Sequence, residues 1–219
     1  TGRDIPSDFA FVGFTLPQNP GGVANIEPAN VLAKLESVGL LKGLTAVPHI
    51  SCKDANADAI FSSLIGYREN GIQAILALTG DKPVSAKGVF ELDSISLLSM
   101  IARMNRESWL KAKPGQWDTV QTLLAGAAVS PFKYTEPSLM QQYYKMEKKI
   151  AAGADFLITQ VGWDWKKSLE LFRYMADNGI DTPVFGNVYL LSTITPAPRL
   201  MHDGKLPGCY VSGSFYEKV

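Results

Sequence analysis

Residues Ile75-Leu76-Ala77-Leu78 form an unbroken apolar run that stops at Thr79-Gly80-Asp81. A strand with one wet face alternates apolar and polar residues, whereas an unbroken run needs cover on both faces. Similar short runs occupy 9–14, 45–48, 123–129, 156–159 and 184–185. Longer amphipathic stretches separate them, at 28–38, 55–70, 93–104, 137–152 and 166–178. Ile60, Leu64 and Tyr67 mark the apolar side of the second, and Leu169, Phe172 and Met175 mark a face of the last. Gly71, Gly153 and Gly179 stand where three of these helices should end. Strand and helix alternate with strand ends roughly thirty residues apart, which describes six βα units and a parallel sheet covered by helices. Two architectures share that pattern, an open doubly wound sheet and a (β/α)8 TIM barrel. The first would favour a GxGxxG motif after the first strand, and none is present there. The longer gap at 105–119, polar and containing Pro114-Gly115, reads as an insertion.

Charge and cysteine content narrow the function classes. Lys plus Arg equals Asp plus Glu, 21 each, and no basic stripe runs along the chain. That balance argues against nucleic acid or an anionic membrane as the main partner. Lys145, Lys148 and Lys149 read as one solvated helix face. The two cysteines, Cys52 and Cys209, form no CxxC pair and no disulfide framework, which suggests a reducing compartment. Cys52 reads as buried packing. No run approaches the ~18 apolar residues of a membrane span, and the first residues lack a signal-peptide pattern. A cytoplasmic location is expected. With two histidines and no ligand-like spacing, no metal site is expected.

The polar residues that end the apolar runs carry the functional signal. They are Thr15, then His49 and Ser51, Thr79-Gly80-Asp81, Ser130, Thr159-Gln160 and Asn187. In a parallel barrel these ends share one face, where active sites are built. Loops are polar by default, so each residue also has a structural reading. His49 is a satisfied structural histidine or a site residue. Asp81 is an Asx-turn or a wall of a pocket, beside a glycine that permits a tight turn. Gln160 caps a strand or contacts a ligand. Residues alone reach a parallel α/β enzyme with a polar pocket for a small molecule or cofactor, without a reaction type.

Three motifs say more. PHISCKDAN (48–56), GIQAILALTGDKP (71–83) and GADFLITQ (153–160) resemble, in order and spacing, motifs of the methylenetetrahydrofolate reductase family. GAAVSPFKYTEP (126–137) occupies the place of a fourth family segment, and the match runs from about residue 9 to about residue 192. The resemblance implies a (β/α)8 barrel. It also implies reduction of 5,10-methylenetetrahydrofolate to 5-methyltetrahydrofolate, with hydride carried from NAD(P)H by a bound flavin. FAD is the implied cofactor, with FMN or no flavin as alternatives. By the same resemblance Thr15, His49, Gly80, Phe90 and Lys149 fall where the family contacts the flavin. Asp81 matches the aspartate that faces flavin and folate and holds positive charge on the methylene-iminium form. Gln160 matches a substrate-contacting glutamine. Departures accompany these matches. Thr79 stands for a family arginine, Tyr134 for a histidine and Ser130 for a tyrosine, all at cofactor-contacting positions.

The family's first strand carries a glutamate general acid in an FEFFPP-like motif, and no such motif is found in this chain. FVGFTLPQN aligns with the second family strand. One domain over residues 1–219, holding family strands two to seven and incomplete at both ends, is the expectation. Such a piece would expose sheet edges, so further sequence, a homo-oligomer or a partner subunit should cover them. Two other functions compete with the flavin-dependent reductase: a flavin-independent reductase of the same folate pair, and a non-redox folate-binding or methyl-transfer subunit.

Overall fold

The computed structural model describes residues 10–113, 120–133 and 135–188, with residues 199, 202, 203, 213 and 217 besides. Among the described residues six parallel strands run in the order of the chain: β1 (Gly13–Leu16), β2 (Thr45–Ser51), β3 (Ala74–Leu78), β4 (Leu124–Val129), β5 (Phe156–Thr159) and β6 (Val184–Phe185). Five α-helices connect them: α1 (Pro28–Ser37), α2 (Ala57–Glu69), α3 (Ser94–Lys111), α4 (Glu136–Ala151) and α5 (Trp165–Asp177). A doubly wound sheet reverses its strand order at a switch point. Here every strand pairs with its sequence neighbour, so the sheet is wound in one direction and curls like part of a barrel.

Local chemistry starts and stops the helices. Asn56 accepts from the Ala59 amide and Asp93 from the Ser96 amide. Asp164 accepts from the Lys166 and Lys167 amides. Each side chain satisfies N–H groups that the first helical turn leaves unpaired. Pro28 opens α1 at a position where its missing N–H is no loss. Helices α2, α4 and α5 end just before Gly71, Gly153 and Gly179, as their positions predict.

The core lies between the sheet and its helices. Ile50 from β2, Ile75 and Ala77 from β3, Ala125 and Ala127 from β4, and Leu157 from β5 meet Leu64, Leu97, Ile101, Met146 and Leu171 from the helices. Alternate residues point the other way. His49, Leu76, Gly126 and Phe156 are register partners at one level across four strands. They form the floor of the concave face. A Cβ on Gly126 would overlap the Phe156 ring, and Phe156 meets Phe185 edge-on, ring centres 5.8 Å apart. Glycine at 126 makes room for that aromatic pair.

Several expected boundaries change. Strand β1 is Gly13–Leu16 rather than 9–14. Strand β2 continues through Pro48 and His49 to Ser51, so His49 lies inside the strand and not after it. Pairing with β1 covers Thr45 to Pro48 and pairing with β3 covers His49 to Ser51. Pro48 therefore sits where the sheet hands over from one partner to the other, and the lost donor is tolerated. The polar stretch from residue 105 continues α3 to Lys111 instead of opening an insertion. Arg103 pairs with Glu107 at 2.8 Å on its outer side, while Asn105 bonds both the amide and the carbonyl of Leu123. Pro114-Gly115 lies outside the described residues. On α5, Leu171 and Met175 are buried, while Leu169 and Phe172 are exposed. The i, i+4 pair nearest the sheet decides that choice between two apolar stripes.

Candidate functional site

The loops that follow β1, β2 and β3 interlock above the sheet. Gln18 accepts from the Ser51 amide at 2.7 Å and donates to Glu27 at 2.9 Å. Asn19 donates to Asp54 at 3.1 Å and accepts from the Asn25 amide at 2.9 Å. The Gly21 amide donates to Asp81 Oδ2 at 3.0 Å, and the Gly22 carbonyl accepts from the Val84 amide at 2.9 Å. Lys53 links the second loop to the third, donating its amide to Thr79 and accepting from that of Val89. These bonds join segments some 60 residues apart in sequence, as between Gly21 and Asp81.

Gly80 turns the chain from β3 into this rim. Its φ is +86°, which side chains rarely adopt, and a Cβ would overlap Ser51 Oγ. Both conditions select glycine. Asp81 follows at the rim, half-buried, with one carboxylate oxygen held by Gly21. Thr79 turns away from it. Its hydroxyl accepts from the Ser94 amide at 3.1 Å and lies 3.3 Å from the Ser94 hydroxyl, so it serves the start of α3.

His49 faces the concave side, and its Nε2 is buried without a partner among the described residues. Burial penalises the charged imidazole and lowers its pKa from 6.5 to about 4. The ring is therefore neutral at pH 7. Ser130, one residue past β4, also carries a buried hydroxyl without a partner among the described residues. Gln160, directly after β5, donates its amide to Val129 at 2.7 Å, and its Oε1 accepts from Val161 at 2.9 Å. Thr15 is exposed in β1, on the side opposite Phe14 and Leu16, which pack on the core.

Other expected site residues lie apart. Lys149 is on the sheet-facing side of α4, in line with Leu139, Tyr143 and Met146. It is not the solvated lysine its neighbours suggest. Its Nζ donates to the Ala128 carbonyl at 2.7 Å, and burial lowers its pKa. Phe90 is 77% exposed, with the Lys53 ammonium 5.9 Å from its ring centre. Tyr134 lies outside the described residues. Cys52 is fully buried, and desolvation pushes its thiol up to about 12, as inert packing requires. Among the described residues no group of His, Cys, Asp and Glu could hold a metal, and no helix is long and apolar enough to cross a membrane.

Gln18, Asn19 and Gly21 are absent from the sequence-derived candidates. The loop at 17–22 announces itself there only as rich in Gly, Pro and Asn. The available signal was Asn19 before Pro20-Gly21-Gly22, since asparagine tolerates a left-handed backbone better than other non-glycine residues.

A family model described as methylenetetrahydrofolate reductase matches residues 27–207. The 5,10-methylenetetrahydrofolate reductase of Escherichia coli is 25% identical over 159 residues, 72% of this chain and 48% of its own length. Methylenetetrahydrofolate reductase 2 of Saccharomyces cerevisiae is 23% identical over 201 residues, 90% of this chain and 31% of its own. Methylenetetrahydrofolate reductase (NADH) 1 of Arabidopsis thaliana is 22% identical over 156 residues, 66% of this chain and 24% of its own. The chain thus spans about half the length of the bacterial relatives it matches, and less of the plant and yeast ones.

Proposed function

The chain belongs to the methylenetetrahydrofolate reductase family, and from that premise we propose that it forms the larger part of a (β/α)8 barrel that reduces 5,10-methylenetetrahydrofolate to 5-methyltetrahydrofolate in the cytoplasm. NAD(P)H is the electron donor. The cofactor that the family implies is a flavin, FAD by preference, which would relay hydride from nicotinamide to folate.

The observation that best supports the reading is the pair of concave-side polar groups, His49 Nε2 and Ser130 Oγ, buried without partners among the described residues. Such groups call for a polar ligand. A flavin ring edge offers both donors and acceptors, so these residues fit it. His49 and Ser130, two strands apart, would meet different parts of the flavin, and a neutral imidazole can act there as donor or acceptor. Gly80 lets the backbone pass close to Ser51 and carries Asp81 to the rim. Asp81 supplies the negative charge that stabilises a cationic methylene carbon on the folate. Gln160, on the far side of β4, orients the substrate. Thr79 contributes through α3, whose start it braces, rather than as a flavin donor. Lys149 has its ammonium on Ala128 and is left out of the proposed flavin contacts.

The full-length protein, purified and scanned, tests this. A yellow protein absorbing at about 450 nm, bleached by NADH and restored by methylenetetrahydrofolate, is the expected result. A colourless protein that still oxidises NADH with the folate would move the reading to direct hydride transfer. Folate binding without any NADH oxidation would replace it with a non-redox role.

A further inference from the structure

Asn19 makes its hydrogen bonds to Asp54, Gly22 and Asn25, and the loop that meets Asp81 is shaped around it. It is the one non-glycine residue with positive φ among the described residues, at φ 43° and ψ 55°. Both ends of its side-chain amide are used. Oδ1 accepts from the Asn25 amide at 2.9 Å, which closes the loop on itself, and Nδ2 donates to Asp54 at 3.1 Å, which ties it to the segment after β2. Its carbonyl accepts from the Gly22 amide at 3.0 Å. The turn so formed points the intervening Gly21 amide at Asp81 Oδ2, 3.0 Å away. Gly22 then rests against the segment just past Asp81. A Cβ there would overlap the Lys82 carbonyl, and the Gly22 carbonyl takes the Val84 amide.

We infer that Asn19 is a positioning residue for Asp81. It holds residues 19–25 in the one shape that fixes the carboxylate by a backbone N–H, leaving Oδ1 of Asp81 to face substrate. A carboxylate that must stabilise charge only in the transition state gains from being held before the reaction, and small misplacement is costly. The inference rests on the role given to Asp81 above.

The test uses the full-length protein, with NADH oxidation by methylenetetrahydrofolate as the assay. Asn19→Ala should lower kcat about tenfold, with little change in KM. Asn19→Gly keeps the left-handed backbone but loses both side-chain bonds, so it should fold like the parent and still lose kcat. In an Asp81→Asn background, Asn19→Ala should add nothing further, because the two act as one unit. Amide exchange at Gly21 should quicken in Asn19→Ala and Asp81→Ala alike. Full activity in both Asn19 variants, or losses that multiply with that of Asp81→Asn, would overturn the inference and leave the reductase reading standing. Unchanged turnover in Asp81→Asn alone would remove the role of Asp81 and this inference with it. Gly21 exchange needs no turnover, and unaltered protection in Asn19→Ala would refute the positioning whatever the activity.

Discussion

Ile75 and Leu76 are neighbours in β3 and both are buried, but they pack on opposite sides of the sheet. Ile75 joins a dry layer of Ile50, Leu97, Ile101 and Leu157 beneath the helices. Leu76 lies between His49 and Gly126 on the concave side, with Phe156 one strand beyond Gly126. The outer layer is closed and mostly aliphatic, with Tyr67 and Tyr143 among its buried residues. The concave layer mixes a glycine, aromatic rings and a buried imidazole, and its Phe185 is 57% exposed. One set of strands thus builds a helix-covered core on one face and a more open layer on the other. Period-two alternation makes this division, and each face constrains its residues differently.

The largest effect should come from the closed side. Leu157→Ala removes a fully buried side chain from a layer that cannot collapse around the gap, and should cost about 2–5 kcal/mol in a denaturant titration. Leu76→Ala should cost less, since the open concave layer can relax or hydrate; equal losses would erase the distinction between the faces.

Next is the pH dependence of stability. The folded chain keeps His49 neutral down to about pH 4, while the ordinary imidazole takes its proton near 6.5. The unfolded chain binds more protons between those values. Stability is therefore full above pH 6.5 and falls on acidification towards 4, by about 3 kcal/mol at most. His49→Gln should flatten that part of the curve, and an unchanged slope would mean that another group governs it.

Asp81→Asn removes charge at the rim without removing volume. Turnover should drop about a hundredfold, equivalent to ~2.7 kcal/mol of transition-state stabilisation, with the melting temperature unchanged. A fall in melting temperature without loss of turnover would make Asp81 a loop brace.

The smallest effect concerns the exception on the closed side. Thr159 is buried beyond Leu157, and its hydroxyl accepts from the Asn187 amide at 2.9 Å. Thr159→Val should cost about 1 kcal/mol in the same titration, the worth of one satisfied hydrogen bond. A neutral result would mean that the Asn187 amide finds another partner.

Much of the frame was legible. Unbroken apolar runs required cover on both faces, glycines closed three helices, and Asp81 stood out after Gly80. The choice of face within a run was not legible. When Ile75, Leu76, Ala77 and Leu78 are all apolar, alternation leaves no mark, and only packing shows which side meets the helices. The same ambiguity hid the fate of Thr79, which turns to α3 while Gly80 and Asp81 form the rim. It hid Lys149 too, because a lysine among lysines looks solvated until its nitrogen is found on Ala128. Polar residues after 104 suggested an insertion, yet the helix continues to Lys111 with the Arg103–Glu107 ion pair and the bonds of Asn105 on it.

By itself the sequence determined the class of fold, the order of its units and the family, because these follow from local periodicity and from motifs read along the chain. Only the tertiary structure decided that the loop after β1 lies against Asp81, that His49 sits inside its strand with a buried nitrogen, and that Thr79 and Lys149 serve the helix layer. Those facts join residues 15 to 60 positions apart. No local pattern encodes such contacts, since they form only when curling of the sheet brings the strand ends together.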